Sequence, residues 1–212
     1  MLVYAVADIH SRKARLEIIK KNIEEYKPDA LIVAGDITNY INPKPILSQL
    51  NSLSIPVLTV RGNSDLKRVD KIIDGSDSIH TLHLKEVHTN GSCFVGISGT
   101  IPVPFSSRLA FNERKVLDKI EPLLHRDSVL VTHTPPFGIL DEVLGKYHAG
   151  CKSLYESINR CQPCLVICGH IHESTGSAFV NKTLVVNCSI GRSGEGALIE
   201  LNNGLSPKVE FI

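Results

Sequence analysis

The 212-residue sequence has no apolar run approaching the ~18 residues of a membrane span, so a membrane is not among its expected partners. The apolar stretch at its start, Leu2 to Ala7, stops at Asp8. That is short of the ~7 to 15 apolar residues of a secretory signal, and no basic segment precedes it, which predicts a cytoplasmic location. Charge of one sign is also lacking. The 23 basic and 22 acidic side chains leave a net +1, which offers no global field to nucleic acid, although a local basic groove stays open. Internal repeats, low-complexity tracts and long linkers are absent. Six cysteines, at 93, 151, 161, 164, 168 and 188, sit mostly inside apolar runs rather than at the spacing of a disulfide framework, which suits reduced thiols.

What is present is an ordinary globular composition, 42% hydrophobic and 21% charged. At ~150 residues per domain as a soft prior, the chain is expected to form one domain over 1–212. A core of that size needs no disulfide or structural metal, so any metal is expected to be functional.

Leu2–Ala7, Ala30–Ala34 and Val57–Val60 read as buried strands. Between them lie helical patterns over Arg12–Tyr26, with Ser11 as N-cap, and over Pro45–Leu53. Lys67–Ile73 reads as helix, Ile79–Ser98 as strands, Ser107–Leu124 as helix, Val129–Thr132 as strand, Cys151–Arg160 as helix and Leu165–Cys168 as strand. The tail, with short strands at Ala178–Val180, Thr183–Val186, Ala197–Leu201 and Lys208–Phe211, reads as a meander. Apolar strands alternating with helices predict an α/β fold with a parallel sheet covered on both faces, the whole being mixed and split into two layers.

Polar residues fall where the strands end. Asp8 and His10 follow the first strand, Gly35-Asp36 the second, Gly62-Asn63 the third, His133 the Val129 strand, and Gly169-His170-Ile171-His172 the Leu165 strand. Open α/β sheets bind ligands beyond the carboxyl ends of their strands, so these residues are expected to converge. Asp8/His10 and His170/His172 are each two apart, which points both side chains the same way in extended chain. Helix capping would account for Asp8 or Asp36 singly, and a turn for Asn63, but neither accounts for the set. Two aspartates, one asparagine and four histidines exceed what one tetrahedral catalytic ion takes and suit two, with Asp36 as the bridge. Nitrogen and oxygen donors without thiolate favour Mn, Fe, Co, Ni or Zn, with Mn preferred here.

This ordered set resembles that of the calcineurin-like metallophosphoesterases, and the tail fits the two-sheet sandwich of that family, flanked by helices as α-β-β-α. The resemblance implies that one ion takes Asp8, His10, Asp36 and His172 and the other Asp36, Asn63, His133 and His170. It also implies hydrolysis of a phosphoester, most readily a phosphodiester, by a hydroxide held between the ions. A metal lowers the pKa of water from ~15.7 toward ~7, so a nucleophile is available at neutral pH. The family commonly has histidine after the asparagine, where this chain reads Gly62-Asn63-Ser64-Asp65, and a serine hydroxyl is no proton donor near neutral pH. His148, in a loop resembling that of a small-phosphoesterase branch, is the expected substitute.

The other readings are bland. Cys161-Gln-Pro-Cys164 with Cys168 lacks the second pair of a zinc site. His80, His83, His88 and His125 have no partner motif, and Arg192 fits a substrate phosphate or a turn equally. The expected partner is a small phosphoester, with a homo-oligomer left open. A nuclease, which would need a basic track, and a non-catalytic scaffold, which would have lost ligands, are the competing functions.

Overall fold

The computed structural model describes residues 1–99, 110–192, 194–202 and 204–212, with the side chains of 110–113 left aside. Residues 100–109, with the start of the helix expected from Ser107, and Ser193 and Asn203 lie outside the described residues.

Two six-stranded sheets stack face to face. In the first, β1 (Leu2–Val6), β2 (Ala30–Ala34), β3 (Val57–Val60) and β4 (Ile79–Thr81) run parallel in that order. On the other side of β1, β13 (Ala197–Glu200) and β14 (Lys208–Phe211) complete it antiparallel. The second sheet centres on β7 (Ser128–Thr132), parallel to both β6 (Ser92–Ile97) and β10 (Leu165–Cys168). β12 (Thr183–Asn187) lies parallel to β10, while β5 (Glu86–Thr89) and β11 (Gly176–Val180) close the edges antiparallel.

The two-residue period of the strands separates three cores. Ala5, Ile32 and Val60 of the first sheet meet Phe94, Val131 and Ile167 of the second between the layers. Their sequence neighbours Tyr4, Val6, Leu31 and Val33 face outward onto Leu16, Ile19 and Ile23 of α1 (Lys13–Tyr26) and onto α2 (Lys44–Asn51) and α3 (Arg68–Ile73). Val95, Leu130 and Val166 likewise face Leu117 and Ile120 of α4 (Ala110–Ile120) and Leu154 and Ile158 of α5 (Lys152–Cys161). A strand buried on both faces is apolar at nearly every position, and a buried exception such as Thr59 satisfies its hydroxyl by donating to Val33 O at 2.9 Å. The result is the expected α-β-β-α layering. No described helix is long and apolar enough to cross a membrane.

Two expectations are corrected. Ser11 does not cap α1: its φ of 55° lies in the left-handed region, Arg12 takes the cap position, and no side chain accepts a cap hydrogen bond. An N-cap needs extended backbone to turn its side chain onto the first amides. The tail is not one meander. β11 and β12 form a hairpin on the second sheet, and β13 and β14 one on the first. The chain crosses between the layers beside Ala7, where Ala7 N–H donates to Cys188 O at 3.2 Å and Ile190 N–H to Ala7 O at 3.1 Å.

Candidate metal centre

All the parallel strands of each sheet deliver their carboxyl ends to one side of the sandwich. The backbone there is stitched across strands: Asp8 N–H donates to Gly35 O at 3.1 Å, His10 N–H to Asp36 O at 2.9 Å and Gly169 N–H to His133 O at 3.0 Å. These bonds bring the predicted ligands together. Asp8, His10 and His172 offer atoms all within 4.8 Å of one another, and so do Asp8, Asp36 and His133. Asp36 Oδ2 lies 3.7 Å from His10 Nε2 and 3.5 Å from His133 Nε2, so it faces both groups. His133 Nε2 is 3.2 Å from Asn63 Oδ1, and its ring packs at 5.0 Å against that of His170. His170 N–H donates to Asp8 Oδ2 at 3.1 Å. The seven predicted positions therefore form one connected cluster.

Its electrostatics are set by two buried carboxylates packed among histidine rings. Burial pushes the Asp36 carboxyl up, but the His133 imidazole and the Ser64 N–H (2.8 Å from Oδ1) win and hold it well below the usual carboxylate range. Asp8 follows the same balance: burial opposes ionisation, and His172 and His133 restore it. Burial pulls His133 down, but Asp36 more than reverses that and pushes it up to about 9. Burial, reinforced by His133, pulls His170 down to about 4, so it presents a neutral ring. His133 donates Nδ1–H to Ala34 O at 2.8 Å, which fixes the tautomer with Nε2 toward the cluster, as ligand histidines are commonly held. Asp8 Oδ1 is buried and makes no well-formed hydrogen bond, its nearest histidine nitrogen being His172 Nε2 at 3.3 Å. An orphaned carboxylate oxygen beside histidine nitrogens is what a divalent ion would satisfy, so the donor set fits the ions expected from the sequence.

Several supporting residues escaped the sequence reading. Asp65 is buried and accepts from Ile37 N–H (3.1 Å), Thr38 N–H (2.8 Å), Thr38 Oγ1 (2.8 Å) and Gly62 N–H (2.9 Å), locking the Asp36 loop to the Asn63 loop. A Cβ on Gly62 would lie 2.1 Å from Asp36 Oδ1, so only glycine lets the loops meet this closely. Arg15, buried in the first turns of α1, donates to Asp8 O and Gly191 O. The one sequence signal available was Asp65, two residues after Asn63; Arg15 gave none.

Ser64, the residue that replaces the expected histidine, is buried, and its Oγ donates to Thr38 O at 2.7 Å, 3.4 Å from His10 Nδ1. Its hydroxyl is a loop staple. His148 lies on the small hairpin formed by β8 (Glu142–Val143) and β9 (Tyr147–His148). Among the described residues, none of its hydrogen bonds, ion pairs or ring contacts reaches the seven; it bonds to Asp141 instead. Arg192 pairs with Glu173 at 3.3 Å. Elsewhere, His83 Nδ1 accepts from Ser98 N–H at 3.0 Å, and Cys164 Sγ donates to Ser128 O at 3.3 Å, its thiol pushed up to about 11 by burial. Cys93, Cys161, Cys164, Cys168 and Cys188 are in no disulfide.

Comparison with known proteins gives a consistent result. The family model described as the calcineurin-like phosphoesterase superfamily domain matches residues 1–197. An uncharacterized protein of Methanocaldococcus jannaschii is 29% identical over 206 residues, covering 89% of this chain and 88% of its own. Among solved structures, a dimetal phosphatase from Danio rerio superposes with a TM-score of 0.70 at 12% identity, over 99% of this chain and 98% of that one. A novel archaeal phosphodiesterase superposes at 0.58 and 13% identity, over the whole of both chains. At such identities the superpositions establish the shared fold.

Proposed function

The chain belongs to the calcineurin-like phosphoesterase superfamily, hydrolases of phosphoester bonds, and from that premise we propose that it is a dinuclear metal-dependent phosphodiesterase acting on small substrates. The observation that carries this reading is the pair of overlapping donor groups, Asp8 with His10 and His172 and Asp8 with Asp36 and His133, that meet at the buried Asp8 carboxylate. Asp8, His10, Asp36 and His172 would hold one divalent ion, and Asp36, Asn63, His133 and His170 the other, with manganese the preferred metal. Such ions supply Lewis acidity to the phosphoryl oxygens and make water acidic enough to attack near neutral pH.

The chain's own residues do the rest. Asp36 faces His10 on one side and His133 on the other, which suits a shared carboxylate. Asn63 is the exposed member of the set, open to an incoming substrate. With Ser64 turned inward, proton donation to the leaving group falls to another side chain, and His148 is the residue we assign to it. Phosphoryl transfer asks mainly for positioning and charge stabilisation, which a cluster braced by Asp65 and Arg15 provides.

The test is metal analysis of the purified protein together with hydrolysis of a bis-aryl phosphate and the matching aryl monoester in added manganese. Two ions per chain with faster diester than monoester turnover is the expected result. Bound metal with the monoester preferred would overturn the diester assignment, and neither metal nor turnover would leave a non-catalytic scaffold.

A further inference from the structure

Between the predicted ligand His133 and helix α5, residues 134–150 form an arm that the metal-centre chemistry leaves unexplained. The arm is rooted at one ligand and pinned on the turn that carries two others. Asn187 Nδ2 donates both to Leu140 O (3.5 Å) and to Ile171 O (2.9 Å), the residue between His170 and His172. Ser174 Oγ donates to Glu142 O at 3.0 Å.

At its centre is Asp141, a fully buried carboxylate with both oxygens engaged. Oδ2 accepts from Gly138 N–H at 3.0 Å and Gly150 N–H at 2.9 Å, the two sides of the arm, and Oδ1 meets His148 Nδ1 at 2.7 Å. The Phe137 ring lies 5.3 Å from the imidazole. A carboxylate can only accept, so Nδ1 carries the proton, and Nε2 is the nitrogen left to act. The His148 side chain is 40% exposed while Asp141 is fully enclosed, which is the geometry of an oriented imidazole presented outward.

We infer that Asp141 is a positioning residue that fixes the arm and holds His148 with Nε2–H directed to the leaving-group oxygen of the substrate. This rests on the hydrolase reading above. As the bond from phosphorus to the leaving oxygen breaks, its electron pair stays on that oxygen, which takes the Nε2 proton. The attacking water forms the new P–O bond and gives up its proton to solvent, from which the neutral imidazole regains one. Asp141 orients the ring and favours its charged form, raising the His148 pKa above the ordinary histidine value by their hydrogen bond.

The experiment compares wild type, Asp141→Asn, His148→Ala and the double variant on an alkyl phosphodiester and an activated nitrophenyl diester, with NMR titration of His148 in the metal-free protein. Asp141→Asn and His148→Ala are each expected to lower turnover of the alkyl diester by about 100-fold and to leave the nitrophenyl diester within about 3-fold, because general acids matter most for poor leaving groups. The double variant should be no worse than His148→Ala, since the two act as one unit. The His148 pKa should drop in Asp141→Asn, and the alkaline fall-off of alkyl turnover should move to lower pH with it. Equal losses on both substrates, additive losses, or an unmoved His148 pKa would overturn the positioning role. His148→Ala keeps both arm amides on Asp141, so it tests the acid even where Asp141→Asn unfolds the arm. No metal-dependent turnover in the wild type would sink the hydrolase reading and the donor role with it, whereas a wild type active on both diesters isolates failure to the arm.

Discussion

At the amino ends of the central strands, left-handed backbone falls on Lys27, Asn90, Gln162 and Asn181; at the carboxyl ends, besides Ser11 and loop residues such as Tyr40 and Asn42, it falls on Asp8, His10, Asp36 and His170. The first group is ordinary punctuation. Lys27 and Gln162 end α1 and α5, their N–H groups donating to Ile23 O at 3.0 Å and Ile158 O at 2.8 Å. Asn90 with Gly91 turns β5 into β6, and Asn181 turns β11 into β12. The second group caps no helix and closes no hairpin. These four are predicted metal ligands, each in a conformation that costs an L-residue about 1–2 kcal/mol. Among the described residues, unsatisfied polar atoms collect there as well, on Asp8, Ser11 and Thr134, against Thr183 at the other end. Strain at one end of the sandwich thus serves chain reversal, and at the other it aims donors into a shared space.

The severest way to break that comparison is Asp36→Asn. The amide can still accept from Ser64 N–H but carries no charge toward His10 and His133. Metal catalysis worth several kcal/mol should be lost, so turnover is expected to fall by about 1000-fold or more, with bound manganese dropping below two per chain. Metal-free protein adds a second readout. His133, pushed up to about 9 from an unfolded value near ~6.5, contributes stability that is fully present below pH ~6.5 and disappears as pH rises through about 9. The gap in Tm between wild type and Asp36→Asn should therefore shrink across that window. A gap that stays constant would mean that Asp36 does not hold His133 in this way.

How much of this was legible in sequence follows from where the information sits. Strands such as Ala30–Ala34 announce themselves because a strand buried on both faces is apolar nearly throughout, and Asp36 stands out as the first charge after it. The ligands were readable because each lies at such a boundary. Arg15 was not, since its meaning is a contact with Gly191 O, 176 residues away, and nothing local marks an arginine on a helix as buried. Asp141 lies in an irregular stretch between Leu140 and Glu142, at the carboxyl end of no strand, and is defined by closing an arm on itself. The tail divided between sheets for the same reason: the two hairpins alternate alike, and the crossing beside Ala7 is decided by which edge stays open.

Arg15→Met sharpens the comparison, because it leaves every ligand in place and removes one brace of the carboxyl end. The guanidinium joins the Asp8 carbonyl to that of Gly191, whose Cα packs so close to His172 that a Cβ would lie 2.4 Å from the ring. Loss of the link frees Asp8 and His172 together. Outer partners of metal ligands are commonly worth 10–100-fold, so one of the two manganese-binding steps in a calorimetric titration should weaken by about that factor. Two steps unchanged from wild type would show that the cross-strand backbone bonds suffice without Arg15.

The mildest test sets one glycine against another. Gln162 and Ser11 share nearly the same φ, 49° and 55°, at opposite ends of the sandwich. Glycine removes the Cβ penalty at both but loosens the unfolded chain, so each substitution should raise the stability of metal-free protein by no more than about 1 kcal/mol in denaturant melts. Their effects on function should part. Gln162→Gly relaxes a helix end and leaves turnover as it was. Ser11→Gly relaxes the residue after His10, whose N–H holds Ile37 O at 2.9 Å, and the added freedom should cost about 2- to 3-fold in manganese-supported turnover as His10 samples positions off the ion. If both glycines leave turnover equally untouched, the left-handed backbone at the carboxyl ends is only another way of turning the chain, and the distinction between the two ends lies in the side chains alone.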